Sequence, residues 1–109
     1  MSGSRREKIE ALLKDEPGDV FLRYSLALEL EGCGEWEAGL EILEQLARET
    51  PPYVPAFHMA GRHLVNHGRI DDARRALREG IEAARAAGES HAAAEMAELL
   101  TSLGPAGED

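Results

Sequence analysis

An internal repeat of 34 residues constrains the fold of this chain more than any other feature of its sequence. When the 109-residue sequence is shifted by 34 positions, small residues coincide with small ones and large apolar residues with large apolar ones. The coinciding pairs are Pro17 and Pro51, Val20 and Val54, Ala27 and Gly61, Leu30 and Leu64, Gly34 and Gly68, Trp36 and Ile70, Gly39 and Ala73, and Leu43 and Leu77. A fixed period of roughly 20 to 50 residues is typical of proteins built from stacked repeats.

The first copy of the repeat predicts two helices. Leucines at helical spacing predict a helix over residues 19–31, with Asp19 as its N-cap after a Pro-Gly pair. Gly34 provides a tight turn, and a second apolar stripe predicts a helix over residues 36–47. Proline cannot continue a helix, so the pair that starts at Pro51 ends the first copy.

The second copy predicts helices over residues 53–66 and 69–87, and both flanks extend the pattern. The upstream flank aligns with the second helix of a repeat, and the downstream flank is a strong helix former that would cap the apolar end of the array. The expected units are a half repeat over residues 4–15, a first repeat over 17–50, a second repeat over 51–87, a capping helix over 89–103 and a flexible tail over 104–109.

The spacing of large and small residues resembles the tetratricopeptide repeat, whose pattern is W-x2-L-G-x2-Y, then A-x3-F, then P. The first copy reads Arg23-x2-Leu26-Ala27-x2-Leu30, Gly39-x3-Leu43, Pro51; the second reads Phe57-x2-Ala60-Gly61-x2-Leu64, Ala73-x3-Leu77. The chain departs from this pattern at several positions. Arg23 occupies the aromatic position of the first copy, leucine occupies the tyrosine position of both copies, and Arg85 occupies the position of the closing proline in the second copy. Over residues 17–87 the chain is therefore similar to small bacterial proteins of this family.

The resemblance implies an all-α fold of about six helices. In this family, antiparallel helix-turn-helix pairs stack into a right-handed superhelical array, an α-solenoid. The first helix of each pair lines a concave groove that binds an extended peptide or a partner helix. We therefore expect a protein-interaction scaffold.

Matching by position places a mixed apolar and polar set in this groove. The first and second repeats supply Phe21, Tyr24, Leu28, Glu31, Pro55, His58, Arg62, Val65 and Asn66, and the capping helix adds Ala92, Met96 and Leu99. The predicted partner-binding residues are Phe21, Tyr24, Leu28, His58, Arg62 and Asn66. The apolar ones supply contact area, and we expect Arg62 to pair with an acidic group of the partner. Only Arg62 and Asn66 imitate the carboxylate clamp of some family members, so we expect no such clamp.

Charge and cysteine content narrow the class of partner and the compartment. The net charge of -9 argues against nucleic acid and anionic membranes, because both favour a basic surface. No apolar run reaches the roughly 20 residues of a membrane helix, and the first residues lack the apolar core of a signal peptide. Cys33 is the only cysteine, which excludes an intrachain disulfide. We expect a cytoplasmic protein.

No motif in the sequence predicts catalysis or a cofactor. The serines lie outside nucleophile motifs, and no glycine-rich phosphate loop is present. His63 and His67 have the i, i+4 spacing that can bind a metal ion from one helix face, but no acid or cysteine stands beside them in the sequence. We interpret the four histidines, including His58 and His91, as surface or groove residues, and expect a non-enzymatic protein without a metal ion.

Several alternatives stay open. The protein could be a structural homodimer whose groove is filled by its own terminal helices, or, third in order, the histidines could bind a metal ion.

Trp36, the only tryptophan, is expected to lie between the two helices of the first repeat. The charged residues of the second helix of the second repeat are expected to form a solvated face and not a binding patch; they are Arg69, Asp71, Asp72, Arg74, Arg75, Arg78, Glu79 and Glu82.

Overall fold

The computed structural model describes residues 4–104, which form six α-helices and no strand. The helices are α1 (Arg5–Asp15), α2 (Val20–Gly32), α3 (Trp36–Ala47), α4 (Val54–Asn66), α5 (Ile70–Ala86) and α6 (Ser90–Ser102). Each begins and ends within one residue of its predicted bounds, and the expectation of an all-helical chain is confirmed. Most of the predicted tail, residues 105–109, lies outside the described residues.

Two of the described helices, α1 and α2, begin where side chains satisfy free backbone N–H groups of the first turn. The Asp19 carboxylate accepts a hydrogen bond from the backbone N–H of Leu22 at 2.9 Å, which confirms the predicted N-cap of α2. At the start of α1, Ser4 and Glu7 form a reciprocal capping box, which the sequence analysis did not identify.

The turns after α2 and α4 show the 34-residue period in their backbone hydrogen bonds. Gly34 and Gly68 both have positive φ, at 83° and 75°. In both turns the next residue donates its N–H to a carbonyl five residues earlier, at 2.8 Å: Glu35 to Leu30, and Arg69 to Leu64. This bond closes a Schellman motif, in which the left-handed residue is usually glycine because it carries no Cβ.

Each helix packs mainly against its neighbours in the chain, and α4 also contacts α6. This order of contacts divides the core into two clusters that share α4. One cluster joins α2, α3 and α4 through Ala27, Leu43, Leu46, Ala56 and Ala60. The other joins α4, α5 and α6 through Val54, Phe57, Leu77, Ile81, Ala84, Ala93 and Met96. In the described part of the chain, no helix is long and apolar enough to cross a membrane.

Glycine at two helix contacts permits a close approach of the backbones. A Cβ atom added to Gly39 of α3 would lie 2.7 Å from the backbone oxygen of Ala27 in α2, as expected from its small-residue position in the repeat. A Cβ atom on Gly80 of α5 would overlap the Cβ of Phe57 and lie 2.5 Å from the sulfur of Met96. Gly80 therefore sets the spacing among α4, α5 and α6.

The structure corrects the interpretation of the charged face of α5. Arg74 is only 6% exposed. Its guanidinium donates to the Asp71 carboxylate at 2.8 Å and to the backbone carbonyl of Leu103 at 3.0 Å. A cation at the carboxyl end of a helix is favourable, so Arg74 joins α5 to the end of α6. The prediction of a solvated face is wrong at this residue.

We predict that Gly80→Ala lowers the free energy of unfolding by about 1–3 kcal/mol, because the added methyl group overpacks the contact with Phe57 and Met96. Gly32→Ala is the matched control, because no atom lies within 4 Å of the added Cβ in the last residue of α2. We expect the control to be neutral or more stable by up to about 0.5 kcal/mol. Urea denaturation followed by circular dichroism measures both. An equal effect of the two substitutions would contradict the packing argument.

Candidate partner-binding groove

A groove runs between α4 and α6, with α2 at one end. Its deeper part, of about 150 Å³, is lined by Tyr24, Val54, Pro55, His58, Met59, Arg62, Glu89, Ala92, Glu95 and Met96. A shallower part of about 500 Å³ is lined by His58, Arg62, Glu95, Glu98, Leu99 and Ser102. His58, Arg62 and Glu95 line both parts, so we treat them as one surface, the α4–α6 groove.

Of the six predicted partner-binding residues, the structure places Tyr24, His58 and Arg62 in this groove. Phe21, Leu28 and Asn66 are not among its lining residues. Phe21 is 63% exposed in the first turn of α2, and Asn66 is exposed at the end of α4. Leu28 is half-buried in α2. The capping-helix residues Ala92, Met96 and Leu99 all line the groove, as the positional matching expected.

The tyrosine at the end of the groove is held by an aromatic contact. The rings of Tyr24 and Tyr53 meet edge to face, with centroids 5.5 Å apart and planes at 68°. Tyr53 is the N-cap residue of α4, so this pair fixes α2 against the start of α4. Burial raises the pKa of Tyr24, and its hydroxyl therefore stays neutral. At this end the groove thus presents a preorganised aromatic ring, and the polar atom of that ring system is the Tyr24 hydroxyl oxygen.

The histidine in the centre of the groove is neutral at neutral pH. Burial lowers the pKa of His58; the Glu95 carboxylate opposes this shift and the Arg62 guanidinium adds to it. A neutral imidazole has one donor and one acceptor nitrogen, so His58 can form hydrogen bonds of either kind with a bound segment.

The sequence analysis missed the glutamates of α6 and its N-cap. Glu89, Glu95 and Glu98 line the groove, but only apolar residues were expected from this helix. The signal was present, because Glu95 lies three residues after Ala92 and four before Leu99, on the same helix face. The groove is consequently more acidic than the positional matching predicted.

A second cleft, of about 590 Å³, lies between α3 and α5 with α4 as its floor. Its lining residues are Leu40, Glu44, Ala47, Arg48, Phe57, Ala60, Leu64, Arg69, Asp72, Arg75, Ala76 and Glu79. Three arginines and three acids balance one another, and none of the predicted partner-binding residues lies here. We call this surface the α3–α5 cleft.

Two histidines, one in α4 and one at its C-cap, face an acid that is distant in the sequence. Glu31, expected in the groove, has its carboxylate 3.2 Å from Nε2 of His67 and 3.8 Å from Nδ1 of His63. His63 is 4% exposed, and its Nδ1 has no hydrogen-bond partner. The expectation of a surface or groove histidine is therefore wrong for His63. Within residues 4–104, no group of three or more histidine, cysteine, aspartate or glutamate residues is placed to hold a metal ion.

The only tryptophan contacts the same cluster. The ring of Trp36 stacks on His67, with centroids 4.1 Å apart and planes at 11°. Trp36 begins α3 and His67 is the C-cap of α4. The half-buried ring, expected between the two helices of the first repeat, thus also connects the start of α3 to the end of α4.

We predict that the protein loses stability as the pH falls below about 6.5, the ordinary pKa of histidine. Burial lowers the pKa of His63; Glu31 opposes the shift, and His67 and Arg62 add to it. The unfolded chain therefore binds a proton at a higher pH than the folded chain does. The stabilising contribution is complete above the unfolded pKa and is lost as the pH falls through the folded one.

Urea denaturation at about pH 7.5 and about pH 5.5 measures this pH dependence. His63→Gln should lose less stability between the two values than the unsubstituted protein, with the remaining loss owed partly to His58, whose pKa is also lowered by burial. His91→Gln is the matched control, because the His91 side chain is 90% exposed. A pH dependence that His63→Gln leaves unchanged would show that burial of this imidazole is not its cause.

Comparison with known proteins finds similarity in sequence and in fold. No family model matches the chain. A 67-residue segment of this chain is 33% identical to the 2,3-bisphosphoglycerate-independent phosphoglycerate mutase of Halobacterium salinarum. The match covers 59% of this chain and 13% of the mutase. The chain thus spans about an eighth of the mutase, whose activity belongs to that whole protein. The solution structure of protein BPP2914 from Bordetella parapertussis matches with a TM-score of 0.77 and 26% identity, over 92% of this chain and 87% of that one.

Proposed function

We propose that this chain is a non-enzymatic protein-interaction module that binds a peptide or helix of a partner protein in the α4–α6 groove. One observation carries the proposal: residues at equivalent positions of the 34-residue repeat line the same groove. Tyr24, His58 and Ala92 are separated by 34 residues in sequence and all contribute to its surface. A surface formed by repeated equivalent positions is the typical binding surface of stacked-repeat proteins.

The proposal includes a tetratricopeptide-like architecture in which antiparallel helix pairs stack into a right-handed α-solenoid. Three findings support it. The turns at Gly34 and Gly68 share one hydrogen-bonding pattern at the expected period. Each helix packs mainly on its neighbours in the chain. Small residues occur where the helices approach closely, as at Gly39 and Gly80.

The chemistry of the groove suits binding. Tyr24, Met59 and Ala92 offer apolar contact area, and the His58 and Arg62 side chains offer polar contacts beside it. The Ser102 hydroxyl, which lines the shallow part together with His58, donates to the Leu99 carbonyl at 2.6 Å. It is thus engaged at the end of α6 and is not oriented as a nucleophile towards the imidazole. We propose binding without a cofactor or metal ion.

Affinity capture from a lysate of the source cells, quantified by mass spectrometry, tests the groove assignment. We predict that Tyr24→Ala reduces capture of the principal partner about tenfold, because it removes aromatic contact area from the groove. Leu40→Ala is the matched control, since it truncates another half-buried apolar side chain that lines the α3–α5 cleft instead. Circular dichroism and thermal unfolding verify that each variant is folded. Retention of the partner by Tyr24→Ala, or its loss only with Leu40→Ala, would contradict the assignment.

A homodimer is the second candidate function, favoured by the exposed apolar side chains at the start of α2. Phe21 is 63% exposed and Val20 is 36% exposed, and a second copy of the chain could cover them. Our proposal predicts a monomer of 11.9 kDa in sedimentation velocity experiments at micromolar concentration. A stable dimer that Phe21→Ser dissociates would instead support the homodimer.

A further inference from the structure

The charges along the α4–α6 groove are not balanced. Glu89, Glu95 and Glu98 line the groove, and among the described residues Arg62 is the only lysine or arginine that lines it. His58 adds no charge at neutral pH, because burial lowers its pKa. The groove therefore carries an excess of two negative charges.

The described residues beside the groove do little to neutralise this excess. From Glu89 to Gly104 the sequence holds no lysine or arginine. Within residues 4–104 the only ion-pair partner of Glu95 is His91, at 3.3 Å on the adjacent turn of α6, where 90% of the imidazole is exposed. No side-chain partner of Glu89 or Glu98 is present among these residues. The carboxylates are thus available to a bound segment.

An incoming carboxylate would meet net repulsion at this surface. Arg62 attracts an anion, but Glu95 and Glu98 line the same shallow part of the groove. A cationic side chain would instead be attracted to this surface, because it can approach two carboxylates at once. This charge arrangement disfavours the acidic partner group that the sequence alone suggested for Arg62.

We propose that the segment bound in the α4–α6 groove is basic, with a lysine or arginine directed to Glu95 and Glu98 and an adjacent apolar side chain on Tyr24 and Met59. This inference rests on the proposed function and names the class of its partner. The apolar part of the site is the deeper one, where Tyr24, Met59 and Ala92 lie together. Charge complementarity of this kind determines specificity and the rate of association more than it determines affinity.

A library of short random peptides displayed on phage and selected against the full chain tests the proposal. We expect the bound sequences to be enriched in lysine and arginine next to leucine, isoleucine or an aromatic residue. A fluorescein-labelled peptide of the consensus is then titrated by fluorescence anisotropy into the unsubstituted chain and two double variants. Glu95→Gln with Glu98→Gln should raise Kd about tenfold, since each exposed ion pair contributes up to about fivefold.

The matched control is Glu37→Gln with Glu41→Gln, which removes the same charge from two exposed positions of α3 outside the groove. It should change Kd by less than about twofold, and thermal unfolding should be unaffected in both double variants. Affinity of the unsubstituted chain should also fall as salt concentration rises, because ions screen exposed charges.

The outcomes separate this inference from the proposed function. Enrichment of acidic or uncharged peptides, or a Kd that the substitutions at Glu95 and Glu98 leave unchanged, overturns the basic partner but leaves the groove as a binding site. If no selected peptide binds in a manner sensitive to Tyr24→Ala, the proposed function fails and the inference fails with it.

Discussion

The structure depends on the packing of α4 between two hydrophobic clusters. Successive residues of a helix point about 100° apart, so α4 presents three different faces. Ala56 and Ala60 complete the cluster with α2 and α3, and Phe57 completes the cluster with α5 and α6. The third face, with His58 and Arg62, lines the groove. One helix thus holds the two halves of the core together and supplies the central residues of the candidate site.

Much of the fold follows from the sequence because local rules agree with the repeat. The leucine stripes, the Asp19 N-cap and the turn glycines each depend only on residues within one or two helical turns. The stripes and the turn glycines also recur at the 34-residue period, and the N-cap lies where that period predicts the start of a helix. The burial of Arg74 and His63 did not follow. Arg74 is buried because the end of α6 supplies an acceptor 29 residues away, and the acid beside His63 comes from another helix. A local charge pattern does not contain such distant partners.

The candidate site, too, followed from the sequence only in part. Positional matching in the repeat put Tyr24, His58 and Arg62 on one surface with Ala92 and Met96, and these residues line one groove in the structure. The glutamates were missed because positional matching counted only the apolar residues of α6, whereas Glu95 lies on the same helix face and lines the groove with them. Glu31 was misplaced for the opposite reason, since the histidines of α4 attract its carboxylate away from the predicted surface.

The separation of faces on α4 lets the groove surface change without a change of fold. Substitutions at Arg62 alter an exposed polar surface, whereas the neighbouring Gly61 faces Leu77 of α5, where an added Cβ would lie 2.7 Å from a methyl carbon of that leucine. Adjacent positions in the chain are therefore subject to different constraints: close packing at Gly61 and, under the proposed function, partner chemistry at Arg62. A scaffold of this kind can keep its small and large positions constant while the groove residues vary, so the fold alone does not identify a partner, and our proposal of a basic partner rests on the charges of the groove.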